Sequence, residues 1–305
     1  MRVSCEKVIL PDSYLSIQGI SKSYGEGSGF ANVLEDISLD VDRGEFVALL
    51  GPSGCGKSTL LSIVAGLLPP TRGVVKLDGR TVAQPVVEMI YLFQQYSKSL
   101  FPWRQVRANV ALGLEAKSRR RNRKSSEITD MCEEYLALVG LQNVGHLYPW
   151  QLSGGMQQRV AIARALIAGP KVLLMDEPFS AVDSLTRSLL QDLILELWRR
   201  LKITILFVTH DVDEAVYLAD RVLTLCVSPA RVIDRIEIAL PRPRRPIETR
   251  ELPEFLRYRR ELYARVTDLR GPSMPPGPAF GLPPQPPPVP APNPFRDPTL
   301  QGAVR

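Results

Sequence analysis

A chain of 305 residues with 45% hydrophobic and 23% charged residues can bury a core and form one large α/β unit with a smaller appendage. Its formal charge of +6 is mild and gathers in Lys117 to Lys124 and Arg242 to Arg245, which suits a soluble surface or one facing anionic lipid, not a nucleic-acid groove. Four scattered cysteines without a C-x-x-C pair, two histidines and no apolar run near ~18 residues exclude a disulfide framework, a His/Cys metal cluster and a membrane span.

The first residues also lack the apolar stretch of a secretory signal, so any membrane part of the function is expected from other chains. From Tyr14 onward the reading is of short strands, over 14–17, 33–41 and 45–50, the last running into a Gly-rich loop. Thr59 to Leu68 is apolar almost all round, as in a buried helix, and Pro69-Pro70 stops it. Val74 to Leu77 with Asp78-Gly79 reads as a strand and turn. Between about 97 and 152 the pattern turns helical, with candidates at Val106 to Ala116 and Glu127 to Val139, the second stopped by Gly140. The basic run between them reads as a solvated connection.

Further on, strands over 172–175 and 203–208 alternate with helices over 156–168, 185–200 and 211–219, which predicts a parallel sheet covered on both faces. Two more strands, 221–227 and 231–238, flank Ser228-Pro229-Ala230 as a hairpin, and 251–270 reads as a charged amphipathic helix or helix pair. Of the 27 prolines, 13 fall in the last 35 residues; such a segment cannot bury enough apolar surface to fold alone and is expected to be a disordered or polyproline tail.

Chemistry concentrates at two stretches. Gly51, Pro52, Ser53, Gly54, Cys55, Gly56, Lys57, Ser58 and Thr59 satisfy G-x-x-x-x-G-K-S/T between an apolar strand and a helix. Glycines let the backbone wrap phosphates so that N–H groups at a helix start face the negative charge. Lys57 is then the countercharge for the β- and γ-phosphates, and Ser58 offers a hydroxyl to Mg²⁺. The second stretch is a buried strand ending in Asp176 and Glu177, at the sheet edge where open α/β folds bind ligands. Asp176 suits a metal's water shell; Glu177, next to it, suits orienting and deprotonating water.

Leu152 to Arg159 (LSGGMQQR) precedes that strand. Ser153, Gly154 and Gly155 open a helix there and make a second anion site from N–H groups and helix dipole. This stretch resembles the signature motif of ATP-binding cassette proteins. The resemblance spans about 14–240 and implies a P-loop NTPase core with a parallel sheet flanked by helices, an N-terminal antiparallel β region and a helical subdomain. It implies an ATPase domain over 1–240, with the subdomain inserted at about 97–152, a helical extension over 241–270 and the tail over 271–305.

It also implies ATP and Mg²⁺ as ligands and a head-to-tail dimer with a second copy or close paralogue. In such a dimer Ser153, Gly154, Gly155 and Gln157 of one chain close over ATP held by the other. Tyr24 matches the aromatic that stacks on adenine, Gln94 the Mg²⁺-sensing glutamine, Asp183 the loop crossing the interface, and His210 the switch histidine beside Glu177. Val182 stands where leucine is usual. His146 reads as local packing.

Three further stretches, Leu100 to Arg104 (LFPWR), Asp211 to Ala215 (DVDEA) and Leu240 to Arg244 (LPRPR), look like the ATPase subunits of bacterial importers for nitrate, aliphatic sulfonates, taurine and related solutes. That implies multi-span permease partners docked at the segment from Phe101 to Asn109, indirectly a solute-binding protein, and a peripheral place on the cytoplasmic face of the membrane. Nucleic acid is not an expected partner. The alternative is a soluble cassette ATPase uncoupled from transport; a kinase or GTPase lacks the signature and His210. Because Cys55 lies inside the phosphate loop, thiol alkylation is expected to inactivate the protein and ATP to protect it.

Overall fold

A computed structural model describes residues 13–25, 31–94, 99–115, 124–180, 182–227 and 229–268. The expected Pro-rich tail over 271–305 and nearly all of the basic run from Lys117 lie outside these residues. Strands β1 (Leu15–Tyr24) and β2 (Ala31–Val41) pair antiparallel, and their apolar residues Leu15, Ile17, Ile20, Leu34, Ile37, Leu39 and Val41 are buried. After them come β3 (Phe46–Leu50), helix α1 (Lys57–Val64), and the hairpin β4 (Arg72–Leu77) and β5 (Arg80–Thr81). Strand β6 (Met89–Leu92) follows. β1 also pairs with β4, giving a four-stranded sheet in the order β2-β1-β4-β5.

The second sheet is built from β6 and from β7 (Val172–Asp176), β8 (Thr204–Thr209), β9 (Arg221–Leu225) and β10 (Val232–Glu237) together with β3, in the order β10-β9-β3-β8-β7-β6. Every pairing but β9 with β10 is parallel. β3, β7 and β8 are buried at every residue, the near-continuous apolar pattern that a sheet covered on both faces demands. Register decides what this sheet can do. Leu50 lies beside Thr209 and Asp176 beside Val208, so the loops after β3, β7 and β8 leave the sheet side by side. The two sheets are stitched at Leu34 and Ala230, with backbone bonds from Glu35 N to Ala230 O and from Ala230 N to Val33 O.

The helical stretch holds α2 (Val106–Ala111), a 3-10 turn at Leu112–Leu114, and α3 (Ser125–Leu138). α2 is shorter than the sequence pattern suggests. Gly113 packs so closely on the next long helix, α4 (Gly154–Ile167), that a Cβ there would lie 2.2 Å from the Arg164 carbonyl, and the chain tightens to make that approach. At the other end, Gly140 (φ +72) closes α3 with Leu141 N donating to Leu136 O, a Schellman cap. The remaining helices are α5 (Ser184–Leu201), α6 (Val212–Leu218), α7 (Glu248–Glu251) and α8 (Pro253–Asp268). α8 buries Phe255, Tyr258 and Leu262 in the same core as α6. β6 is absent from the sequence-based expectation: its four residues are too short a run to stand out, and only pairing with β7 defines them.

Candidate functional site

The site grows from the end of β3. Gly51 N donates to Thr209 O (3.3 Å), tying the loop's start to the end of β8. At its far end Gly56 adopts φ +102, and a Cβ would come within 2.9 Å of Leu34 Cδ2 and Val33 Cγ1. Backbone geometry and space both demand glycine there. α1 then starts with no side-chain cap, which leaves first-turn N–H groups available to an anion. Lys57 is almost wholly buried; Nζ donates to Gly51 O (2.9 Å) and Pro52 O (2.8 Å) and lies 3.5 Å from Glu177 Oε1.

Val33, Ser53, Gly54, Gly56, Lys57, Ser58, Thr59, Gln94 and Glu177 line one cavity of about 310 Å³. Glu177 is its focus. It holds φ +43, a left-handed backbone costing a non-glycine residue on the order of 1–3 kcal/mol. The surroundings hold it there: Glu177 N donates to Val208 O (3.0 Å) and Ser180 Oγ to the Glu177 carbonyl (3.0 Å). Its carboxylate receives Gln94 Nε2 at 3.4 Å and lies 3.2 Å from His210 Nδ1. A smaller cavity, of about 60 Å³, lies beyond, lined by Glu177, Ser180, Arg187, Thr209, His210, Asp211 and Glu214. Glu177 is the wall that the two share.

Asp176, buried beside it, accepts a hydrogen bond from the Tyr91 hydroxyl (2.9 Å), and burial together with this carboxylate pushes the phenol's pKa up. Among the described residues no group of three or more His, Cys, Asp or Glu side chains could cage a metal. A hydroxyl at Ser58, an amide at Gln94 and a carboxylate at Asp176 are nonetheless the hard oxygen donors that Mg²⁺ accepts when phosphates and water complete its shell.

Other expected residues sit elsewhere. Ser153 caps α4, its hydroxyl accepting from Met156 N (3.3 Å). The space a Cβ on Gly154 would enter is open, whereas Gly155 packs so near Thr186 that a Cβ would meet its methyl at 2.8 Å. The Gln157 amide is turned onto its own loop, donating to Pro149 O (2.9 Å) and Leu152 O (3.2 Å). Asp183 caps α5 by accepting from Thr186 N (3.0 Å), and these bonds hold its carboxyl below the usual range. Tyr24 ends β1 half-exposed, with Lys22 Nζ 5.0 Å from its ring centre. None of these six residues lines the large cavity.

Cys55 departs from expectation. Cys55 is 4% exposed among the apolar residues behind the loop, and burial pushes its pKa up; both oppose the reactivity its sequence position suggests. Tyr91, Arg187 and Glu214 escaped the sequence reading. Glu214 carries a misleading signal: Asp211 followed three residues later by Glu214 is a helix-capping pattern, and Asp211 does cap α6, but the Glu214 carboxylate turns inward instead.

The family profile described as ABC transporter matches residues 34–180. An uncharacterised ABC transporter ATP-binding protein of Methanocaldococcus jannaschii is 45% identical over 254 residues, covering 83% of this chain and 91% of the relative. The aliphatic sulfonates import ATP-binding protein SsuB of Bacillus licheniformis is 43% identical, covering 81% of this chain and 92% of its own. The nitrate import ATP-binding protein NrtD of Synechococcus elongatus is also 43% identical, with 81% and 89% covered. Among solved structures, a dimeric ATP-binding cassette in a post-hydrolysis state bound to ADP and Pi superposes with a TM-score of 0.65 at 32% identity, over 73% of this chain and 98% of that one.

Proposed function

The chain belongs to the ABC transporter family of ATP-binding proteins and is an ATPase; from that premise we propose that it energises an importer for nitrate, a sulfonate, taurine or a related small solute. The observation that carries the site assignment is the position of one carboxylate. Glu177 meets Lys57, Gln94 and His210 at the sheet edge, on the wall of a cavity lined by the phosphate loop.

In this reading the loop from Gly51 to Thr59 binds the phosphates of ATP, and Lys57 leaves its carbonyl partners to meet them. Glu177 accepts the proton of the attacking water, and His210 fixes which carboxylate oxygen faces it. Ser58, Gln94 and Asp176 would hold Mg²⁺, partly through water, and the ion would supply charge neutralisation on the phosphates. Tyr24 takes the adenine. Ser153, Gly154, Gly155, Gln157 and Asp183 act on the site of a second subunit, which fits their place outside this chain's own cavity and the dimeric form of the solved relative. Among the described residues no helix is long and apolar enough to cross a membrane, so permease subunits supply that part. They dock at the segment from Phe101 to Asn109, where Trp103 is 71% exposed, and a solute-binding protein joins from the other side.

Glu177→Gln tests the assignment: ATP binding is retained, turnover falls by ~10²-fold or more, and ATP shifts the protein to a dimer in light scattering. Near-normal turnover removes Glu177 from its role. Co-purification from host membranes tests the importer reading: a multi-span permease in the eluate supports it, and a purely soluble ATPase overturns it.

A further inference from the structure

A buried polar chain runs from the segment after the last strand into the site. Arg250 Nη2 donates to Gln191 Oε1 (2.8 Å), and Gln191 Nε2 donates to Glu214 Oε1 (3.3 Å). The other carboxylate oxygen, Glu214 Oε2, accepts from Thr209 Oγ1 at 2.7 Å, and Thr209 Oγ1 in turn accepts from Asp211 N at 3.0 Å. Thr209 is also the residue whose carbonyl holds Gly51, and the next residue is His210. One carboxylate therefore fixes the backbone on both sides of His210. Gln191, Thr209 and Glu214 are all buried, so water cannot replace a lost partner cheaply.

The chain has a direction. Arg250 is a pure donor, so it sets the Gln191 amide with oxygen toward the arginine and nitrogen toward Glu214. Thr209 Oγ1 accepts from the Asp211 backbone and gives its own proton onward. Glu214 thus faces a donor on each oxygen, and only a double acceptor satisfies both. Arg187 Nε, 3.9 Å from Glu214 Oε1, adds positive charge on the same side.

We propose that Glu214 is a positioning residue for hydrolysis, holding the backbone on both sides of His210, and that Arg250 of the C-terminal helical segment sets the polarity of its bonds by fixing the Gln191 amide. The inference rests on the assignment of Glu177 and His210 to the hydrolytic step. It differs from a packing role in one respect: a polarity error at Glu214 should be repairable from Arg250, on a different helix.

Glu214→Gln keeps shape and volume but places an NH₂ against either Gln191 Nε2 or Thr209. Removing Arg250 frees Gln191 to turn its amide and present oxygen to the new NH₂. The experiment uses the full chain, with rates expressed per nucleotide site counted by a fluorescent ATP analogue so that loss of folded protein does not register. Expected results are a kcat drop of about 10-fold for Glu214→Gln at unchanged KM for ATP, and a change under about 3-fold for Arg250→Met. The double variant should recover to near the Arg250→Met rate, a coupling of the size seen for residues sharing one hydrogen-bond network. A wild-type kcat for Glu214→Gln, or additive losses in the double variant, overturns the proposal. Glu177→Gln measured alongside separates the two readings. Normal turnover there sinks the site assignment and this inference with it. Lost turnover there, with wild-type Glu214→Gln, sinks this inference alone.

Discussion

At the scale of single residues, environment outweighs sequence position. Cys55 sits at a loop position that reads as exposed, and its neighbours do line the large cavity, yet its side chain alternates back into the core. We expect modification by a thiol reagent to be slow in the native protein and to accelerate only on denaturation, read as thiol equivalents against time. Glu214 is the counterpart among carboxylates. Burial pushes its pKa up to about 7 against an ordinary 4.5, with Asp211 raising it further and Thr209, Arg187 and His210 drawing it back. A folded-state pKa above the unfolded value means the native protein binds this proton more tightly. The resulting stabilisation is complete below about pH 4.5 and is lost as pH rises through about 7. Glu214→Gln cannot titrate. Its thermal midpoint relative to wild type should therefore climb between about pH 4.5 and 7 and level off above that; a constant difference would show that Glu214 stays ionised throughout.

At the scale of elements, the C-terminal segment does more than extend the chain. Arg244 is buried and directs Nη1 to the carbonyls of Val216, Tyr217 and Ala219 and Nη2 to Ile238, so it closes the C-terminal end of α6. Burial and the neighbouring Arg242 lower its pKa to about 9. Arg242 in turn pairs with Asp220 (2.6 Å) and stacks 4.3 Å over Trp198. Arg244→Met should leave buried carbonyls without donors and cost about 2–4 kcal/mol in urea unfolding. Gly56→Ala, which sets a methyl against Leu34 and Val33 from a left-handed backbone, should abolish ATP binding while leaving the far-UV spectrum unchanged.

The sequence made long periodic elements legible, α3, α4 and α5 to within a few residues, and it singled out the phosphate loop, Asp176 and Glu177 from their residues and His210 from the resemblance. It could not reveal β6, whose identity lies in its register with β7, nor the Tyr91 bond to Asp176 that this register creates. Nor could it reveal that, of Asp211 and Glu214, alike on paper, the first caps α6 while the second is buried against Thr209 and Gln191.

At the scale of the whole molecule, the residues divide between two places. Lys57, Gln94 and Glu177 share a cavity, while Ser153, Gly155 and Asp183 lie outside it on the starts of α4 and α5. On the proposed assignment, a chain so arranged has half a site and the complement of another half. ATP added to Glu177→Gln should therefore raise the measured mass to that of two chains, and Ser153→Arg, which puts a long cation where an N–H should face phosphate, should block that shift without weakening ATP binding to the single chain. Equal ATP affinity with normal dimerisation in Ser153→Arg would place the partner's contact elsewhere.

The chain has three tryptophans, Trp103, Trp150 and Trp198, and their surroundings differ sharply. Trp198 lies against Phe46, its ring nitrogen bonded to Gly44 O, whereas Trp103 and Trp150 are 71% and 70% exposed, one on the segment proposed to dock a permease and one just before Ser153. The protein thus carries its own optical labels. Iodide should quench the two outer indoles and spare the inner one, so single Trp→Phe variants would let emission colour report permease docking at Trp103 and subunit closure at Trp150 in the same cuvette, with no dye attached.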